Sequence, residues 1–261
     1  MTTEDIIIQI FCCVDDQMSV VVKHPQAKLY PSEIVTIGIL FALKGGHFRA
    51  FYRWLSRDHA VLFAGLPERT RLHRLLATHH DWNQHLLAEP SVFTVIDSYP
   101  IELIFPIRHG RTAQQVGKKG RDKGRWSVGI KVCSILNTQG LVVAWDWATM
   151  NVADQHFHPL IEQLAHTSIV LADWGFRAII GVPSNCKICK KGTWNERMRV
   201  ETAWSMLTVV CDLKRMHHRR ASALTARLAS VMAMFNVLLC LFHQIHPDAD
   251  PLQMSIAEFS L

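Results

Sequence analysis

The hydrophobic pattern of the chain changes its period near residue 90. Before that point, apolar residues recur at helical spacing in four segments separated by Pro or Gly, at residues 6–22, 34–43, 48–63 and 72–87. From residue 91 onward, short runs rich in β-branched residues alternate with amphipathic segments. This order predicts an α/β protein in which a mixed sheet is flanked by helices and preceded by an all-α N-terminal module.

The segments after residue 90 predict the content of the sheet. Buried runs at 92–96 and 168–172 stop at Asp97 and Asp173, so each is expected to be a strand that ends in a carboxylate. The other expected elements are a Gly- and Lys-rich loop at 110–124, strands at 127–136 and 141–148 joined by a hairpin, a helix at 154–165, a strand at 178–182 and a helix at 195–213. The expected domains are residues 1–90 and 91–246, followed by a tail at 247–261.

Positive charge is concentrated in two blocks. The 261 residues carry a formal net charge of +6. The window 108–131 has a net charge of +7 and the window 186–220 a net charge of +6, so the rest of the chain has a net charge of −7. Apolar residues make up 49% of the sequence, which excludes an intrinsically disordered protein. Two basic blocks favour a polyanionic partner such as nucleic acid, although a solvated charged face explains either block taken alone.

Cysteine usage and the N-terminus favour the cytoplasm. Seven cysteines form no regular secreted framework, and the N-terminus lacks the cationic start of a signal peptide. The most apolar segment, 224–245, contains Arg227, Asn236 and His243, so it predicts a buried helix rather than a membrane span.

Three acids are placed where they can share a divalent cation. In open α/β sheets, ligands bind beyond the carboxyl ends of strands, where Asp97 and Asp173 are expected to converge. Mg²⁺ relieves the repulsion between such carboxylates because it prefers oxygen ligands. Glu201, on the helix expected at 195–213, would allow two metal ions about 3.5–4 Å apart that clamp the reacting oxygens of a phosphodiester.

Each acid also has a simpler explanation. Any one of them could merely end an element or cap a helix. Asp146 lies within the strand expected at 141–148 and is the alternative second acid, while Asp154 is explained as an N-terminal helix cap.

Three motifs resemble those of a known family. The stretches 95–101 (Val-Ile-Asp-Ser-Tyr-Pro-Ile), 171–176 (Leu-Ala-Asp-Trp-Gly-Phe) and 199–202 (Arg-Val-Glu-Thr) resemble the acidic motifs of DDE transposases from bacterial insertion sequences. The resemblance is closest to the nine-eighty-two group of the insertion-sequence-four-like set. Residues 31–36 and 51–55 also resemble the helical segment that precedes the catalytic core in that group, so the resemblance extends from the first helices to about residue 245.

The resemblance implies an RNase H-like catalytic core at 91–246. It places Asp97 on the first strand, Asp173 after the fourth and Glu201 on a later helix, where they would hold two Mg²⁺ or Mn²⁺ ions. The implied activity is cleavage of transposon ends and their transfer to target DNA. A homodimer would bring two ends together, the helical module at 1–90 would serve DNA binding or dimerisation, and neither a membrane nor an organic cofactor is expected.

Basic residues in both charged blocks are expected to contact DNA phosphates. They are Lys118, Lys119, Arg121, Arg197, Arg199, Lys214, Arg215, Arg219 and Arg220. A wider transposase signature has Tyr, Arg, Glu and Lys where this chain has Trp194, Arg197, Glu201 and Thr208. Thr208 therefore removes one phosphate contact that the family has, for which Lys214 or Arg215 could substitute.

Two further features have alternative interpretations. Trp174 follows the second acid, where it would either pack against the sheet or stack on a displaced base. Cys186 and Cys189 have half the spacing of a zinc site, but His217 and His218 do not complete a common pattern.

Two other functions fit the same residues. One is a transposase relic that binds DNA without chemistry. The other is an RNase H-like nuclease that hydrolyses nucleic acid without joining ends.

Overall fold

The chain folds into two compact units. A computed structural model describes residues 2–122, 124–190, 196–209, 213, 216, 218 and 220–261. Unit 1 comprises residues 1–86, 210–212 and 222–261, and unit 2 comprises residues 87–209 and 213–221.

The described part of unit 1 is helical. Its helices are α1 (Thr3–Gln17), α2 (Pro31–Lys44), α3 (Phe48–Asp58) and α4 (Arg69–Thr78), and α7 (Ala221–Ile245) packs with them. Thr2 caps α1 because its hydroxyl accepts a hydrogen bond from the Asp5 backbone N–H, while the Asp5 carboxylate accepts one from the Thr2 backbone N–H. Pro31 opens α2 at a position where its missing N–H costs nothing.

Helix α7 belongs to unit 1, which differs from the sequence expectation that the second domain extends to residue 246. By length and composition α7 could span a membrane, but 78% of its most apolar window is buried inside the structure. Polar side chains tie α7 to its neighbours: Arg227 Nη2 donates to Ala42 O over 3.2 Å, and Asn236 Nδ2 donates to Leu86 O over 2.9 Å. The C-terminal segment packs in unit 1 as well, where Ile256 and Phe259 are buried.

Unit 2 contains a mixed sheet of six strands flanked by helices, which confirms the predicted α/β class. The strands are β1 (Phe93–Ile104), β2 (Lys118–Asp122), β3 (Arg125–Leu136), β4 (Val142–Thr149), β5 (Ile169–Ala172) and β6 (Cys186–Ile188). The order across the sheet is β2-β3-β1-β5-β6, and β4 also pairs with β3. Strand β3 pairs antiparallel with β1, β2 and β4. Strand β5 runs parallel to β1, and β6 runs parallel to β5.

The described part of unit 2 also contains two α-helices. They are α5 (His158–Glu162), preceded by a 3₁₀ turn, and α6 (Glu196–Val209). One face of the sheet forms a core with α5, in which Ile96, Ile135, Phe157 and Val170 are buried.

Three predicted elements of the sheet were wrong in extent or place. Strand β1 does not stop at Asp97 but continues to Ile104, because its antiparallel pairing with β3 continues there. The expected loop at 110–124 contains β2, whose ladder with β3 needs no apolar pattern. The expected strand at 178–182 is absent from the described chain, where Ile179 and Ile180 are fully exposed and β6 forms later.

Candidate active site

Asp97 and Asp173 occupy matching positions on neighbouring parallel strands. Val95 of β1 is paired with Leu171 of β5, and each aspartate comes two residues after its member of that pair. Because side chains alternate along a strand, both carboxylates begin on the same face of the sheet as Val95 and Leu171. The opposite face carries the apolar cluster that includes Ile96 and Val170.

Helix α6 brings Glu201 to the same place. The ring of Trp204, one helical turn after Glu201, stacks on Tyr99, two residues after Asp97 in β1. The ring centroids are 5.4 Å apart and the planes differ by 23°. Since residues three apart share one face of a helix, this contact directs Glu201 toward the strand that carries Asp97.

One cavity of about 770 Å³ is lined by all three predicted acids. Its other described lining residues are Ser98, Tyr99, Pro100, Glu102, Arg121, Arg125, Ser127, Lys131, Met150, Asp154, Trp204, Ser205 and Thr208. Asp146, the alternative second acid, is exposed on β4 and is not among these residues. The structure therefore brings together the acids that the motifs single out.

Two further acids, Glu102 and Asp154, line this cavity, and neither was predicted to belong to the site. Asp154 does not cap a helix: the cap of its 3₁₀ turn is Ala153. Its Oδ1 instead accepts a hydrogen bond from Ser98 Oγ over 2.7 Å and forms a salt bridge of 2.9 Å with Lys131 Nζ. The motif that holds Ser98 could have suggested a partner for its hydroxyl, but nothing in the sequence indicates which one.

Asp154 and Asp173 are neighbours on either side of Gly175. A Cβ on Gly175 would lie 2.7 Å from Asp154 Oδ2 and 3.1 Å from Asp173 Oδ1. Asp173 also accepts the Gly175 amide over 2.9 Å and so caps the 3₁₀ turn at Trp174–Phe176. The simpler explanation of Asp173 as a cap is thus correct for one of its oxygens, and the carboxylate still lines the cavity.

The donor chemistry of the cavity suits Mg²⁺, which takes oxygen ligands and retains several waters. Within the described residues, however, no group of three His, Cys, Asp or Glu side chains is close enough to surround one ion. The fit is therefore one of donor type and shared cavity.

The negative charge of the site affects a buried thiol. Burial, followed by the nearby charges of Asp97 and Asp154, raises the pKa of Cys133 well above its ordinary value. Cys133 lies on β3 opposite Ser98.

The first basic block forms a hairpin beside the cavity. Lys118, Lys119 and Arg121 are exposed on β2, and the Lys119 ammonium lies 5.0 Å from the ring centre of Trp126 on β3. Arg121 and its hairpin neighbour Arg125 line the cavity itself. A cationic surface with an exposed aromatic ring therefore adjoins the acids.

The second basic block is only partly described. Arg197 and Arg199 lie in α6, but their side chains are outside the described part, as are residues Trp194, Lys214, Arg215 and Arg219 altogether. Arg220 is exposed.

Trp174 is exposed rather than packed against the sheet. Its side chain is 62% exposed, and the Arg177 guanidinium lies 4.8 Å from its ring centre. The expectation that it packs against the sheet is therefore wrong.

Cys186 lies in β6 and Cys189 just after it. Across the described residues they join no cluster of three metal-binding side chains.

Comparisons with known proteins found no relative. No protein-family model matches the chain, and searches of the curated proteins and of the solved structures found no match.

Proposed function

We propose that this protein is a DDE transposase of an insertion sequence, which cleaves transposon ends and joins them to target DNA. The observation that carries the proposal is the shared cavity of Asp97, Asp173 and Glu201, three acids from distant parts of the sequence. Structural residues that only cap or end elements have no reason to line one polar cavity together.

The arrangement of the sheet supports an RNase H-like core. If the short edge strand β2 is set aside, Asp97 lies on the first strand, Asp173 follows the fourth and Glu201 lies on a later helix. These are the placements that the resemblance implies.

Asp97, Asp173 and Glu201 would hold Mg²⁺ or Mn²⁺ in this enzyme. Bound ions of this kind lower the pKa of water and neutralise charge on a phosphodiester. The chain itself supplies the positioning: the β1–β5 register aligns the two aspartates, and the contact of Trp204 with Tyr99 directs Glu201 toward them.

The β2–β3 hairpin would guide DNA to the carboxylates. Lys118, Lys119, Arg121 and Arg125 offer cations to phosphates along the side of the cavity, which gives salt-dependent binding of any sequence. In the same proposal, the N-terminal helices serve end recognition or dimerisation, and the enzyme acts in the cytoplasm.

The test uses labelled duplexes from the ends of the element and a supercoiled target plasmid, with Mg²⁺ present. Wild-type protein should cut the ends and join them to the plasmid, while Asp97→Asn should bind the ends without cutting them. Asp146→Asn is the matched control, because it removes a carboxylate on β4 outside the cavity lining.

Each result separates the alternatives. Cutting without joining indicates a nuclease, and binding without cutting indicates a relic. Cleavage by Asp97→Asn at the wild-type rate would exclude Asp97 from the chemistry and overturn the proposal.

A further inference from the structure

The cavity holds a cation to which the sequence analysis assigned no role. Lys131 lies near the middle of β3, opposite Pro100 of β1, and only 18% of its side chain is exposed. Its Nζ is 2.9 Å from Asp154 Oδ1, and Ser98 Oγ donates to that same oxygen over 2.7 Å. Asp154 thus connects Lys131 to the residue that follows Asp97.

This arrangement leaves Lys131 able to bind an anion. A lysine ammonium has three protons, and the contact with Asp154 needs one of them. Charge-assisted hydrogen bonds are stronger in a partly desolvated site than in bulk water. Within the described cavity lining, Arg121 and Arg125 are the other cationic residues, and they lie on the hairpin toward its tip, away from the middle of β3.

The α6 wall of the cavity lacks a cation where the transposase signature has lysine. Thr208 occupies that position, is 4% exposed, and donates its hydroxyl to Ser205 O over 3.3 Å. Lys131 lines the same cavity from the sheet side. A phosphate in the cavity can therefore meet a lysine from β3 instead of one from α6.

We propose that Lys131 binds a phosphate of the nucleic acid in the cavity and that Asp154 is the positioning residue that holds its ammonium there. The inference rests on the proposed function, since it requires nucleic acid to enter this cavity. In this proposal, Lys131 on β3 makes the phosphate contact that Thr208 cannot make, and Asp154 holds the Lys131 ammonium in position.

The test measures how the affinity of the full-length protein for a fluorescein-labelled duplex of arbitrary sequence changes with salt. Each phosphate contact contributes about 0.9 to the slope of log K against log salt concentration. We expect Lys131→Met to reduce the slope by about that amount and Lys131→Arg to retain it. Lys187→Met, an exposed lysine on β6 outside the cavity lining, should leave the slope unchanged.

Asp154→Asn should retain most of the slope but slow cleavage, because the ammonium remains and is no longer held in place. If Lys131→Met alone does not fold, the double variant Lys131→Met with Asp154→Asn removes both charges of the pair and reports the same slope.

An unchanged slope in a folded variant that lacks the Lys131 charge would overturn the inference. This outcome is distinct from failure of the proposed function, which appears as wild-type protein that does not cut or as Asp97→Asn that does.

Discussion

The indole of Trp204 lies against the phenol ring of Tyr99, with ring centroids 5.4 Å apart. Trp204 is 3% exposed, and within the described chain its Nε1 has no hydrogen-bond partner. The contact joins α6 to β1 one turn from Glu201 and two residues from Asp97. Packing between two aromatic rings therefore holds α6 against β1 beside two carboxylates of the proposed active site.

Replacing Trp204 should separate these carboxylates. We expect Trp204→Ala to lower the free energy of unfolding by about 3–5 kcal/mol, because a large buried side chain is lost. Cleavage should fall further, on the order of 100-fold at a temperature where the variant is folded, because Glu201 is no longer held in place. Urea denaturation and the end-cleavage assay measure the two effects.

Trp204→Phe is the control for ring contact without the indole N–H. It retains an aromatic ring against Tyr99 and removes the buried indole N–H. A buried donor without a hydrogen-bond partner destabilises the folded protein by about 1–3 kcal/mol. Cleavage close to that of wild type is expected. A loss as large as that of Trp204→Ala would show that the indole itself, and not the ring contact, is required.

The sequence could predict the acids but not the groups around them. Asp97 and Asp173 were predicted because each follows a buried apolar run, although β1 continues past Asp97 to Ile104, and Glu201 because its motif resembles a known one. Lys131 had no predicted role and Asp154 was predicted only as a helix cap, since a lysine in one strand and an acid before a helix meet only through tertiary packing.

The limits of the predicted strands have similar causes. The predicted first strand ends at Asp97, yet β1 continues through Pro100. The pairing of β1 with β5 stops at Val95. Beyond that point one edge of β1 is outside the β5 ladder, and proline is tolerated at such an edge. The lysines of β2 suggested a loop, yet charged residues are common on edge strands, where they discourage further pairing.

Gly175→Ala should impair the site without unfolding the protein. Its new Cβ would contact Asp154 Oδ2 and Asp173 Oδ1, which are the ends of side chains and can move aside. We expect the free energy of unfolding to change by no more than about 1 kcal/mol, because alanine also restricts the unfolded chain. Cleavage should be clearly reduced. Gly140→Ala is the contrasting control: it strains a hairpin residue at φ +82° but adds no contact, so stability falls while cleavage is retained.

Trp174→Ala should weaken the binding of cleaved ends without altering stability. Its exposed ring, with the Arg177 guanidinium beside it, suits stacking on a base, which contributes about 1–3 kcal/mol. Trp174→Phe should retain most of this binding. Fluorescence anisotropy with an end duplex that carries unpaired bases measures the affinity, and equal affinities for wild type and Trp174→Ala would contradict the stacking role.

Stability should fall at alkaline pH, in part through Cys133. Burial and the charges of Asp97 and Asp154 raise the pKa of this thiol in the folded protein, whereas in the unfolded chain it titrates near pH 8.5. Above that pH the unfolded chain binds fewer protons than the folded one, so the free energy of unfolding decreases as pH rises, by up to roughly 1.4 kcal/mol per pH unit for one thiol. Urea denaturation at pH 7.5 and 9.5 should show a smaller decrease for Cys133→Ala than for wild type. Equal decreases would mean that Cys133 ionises as readily in the folded protein as in the unfolded chain.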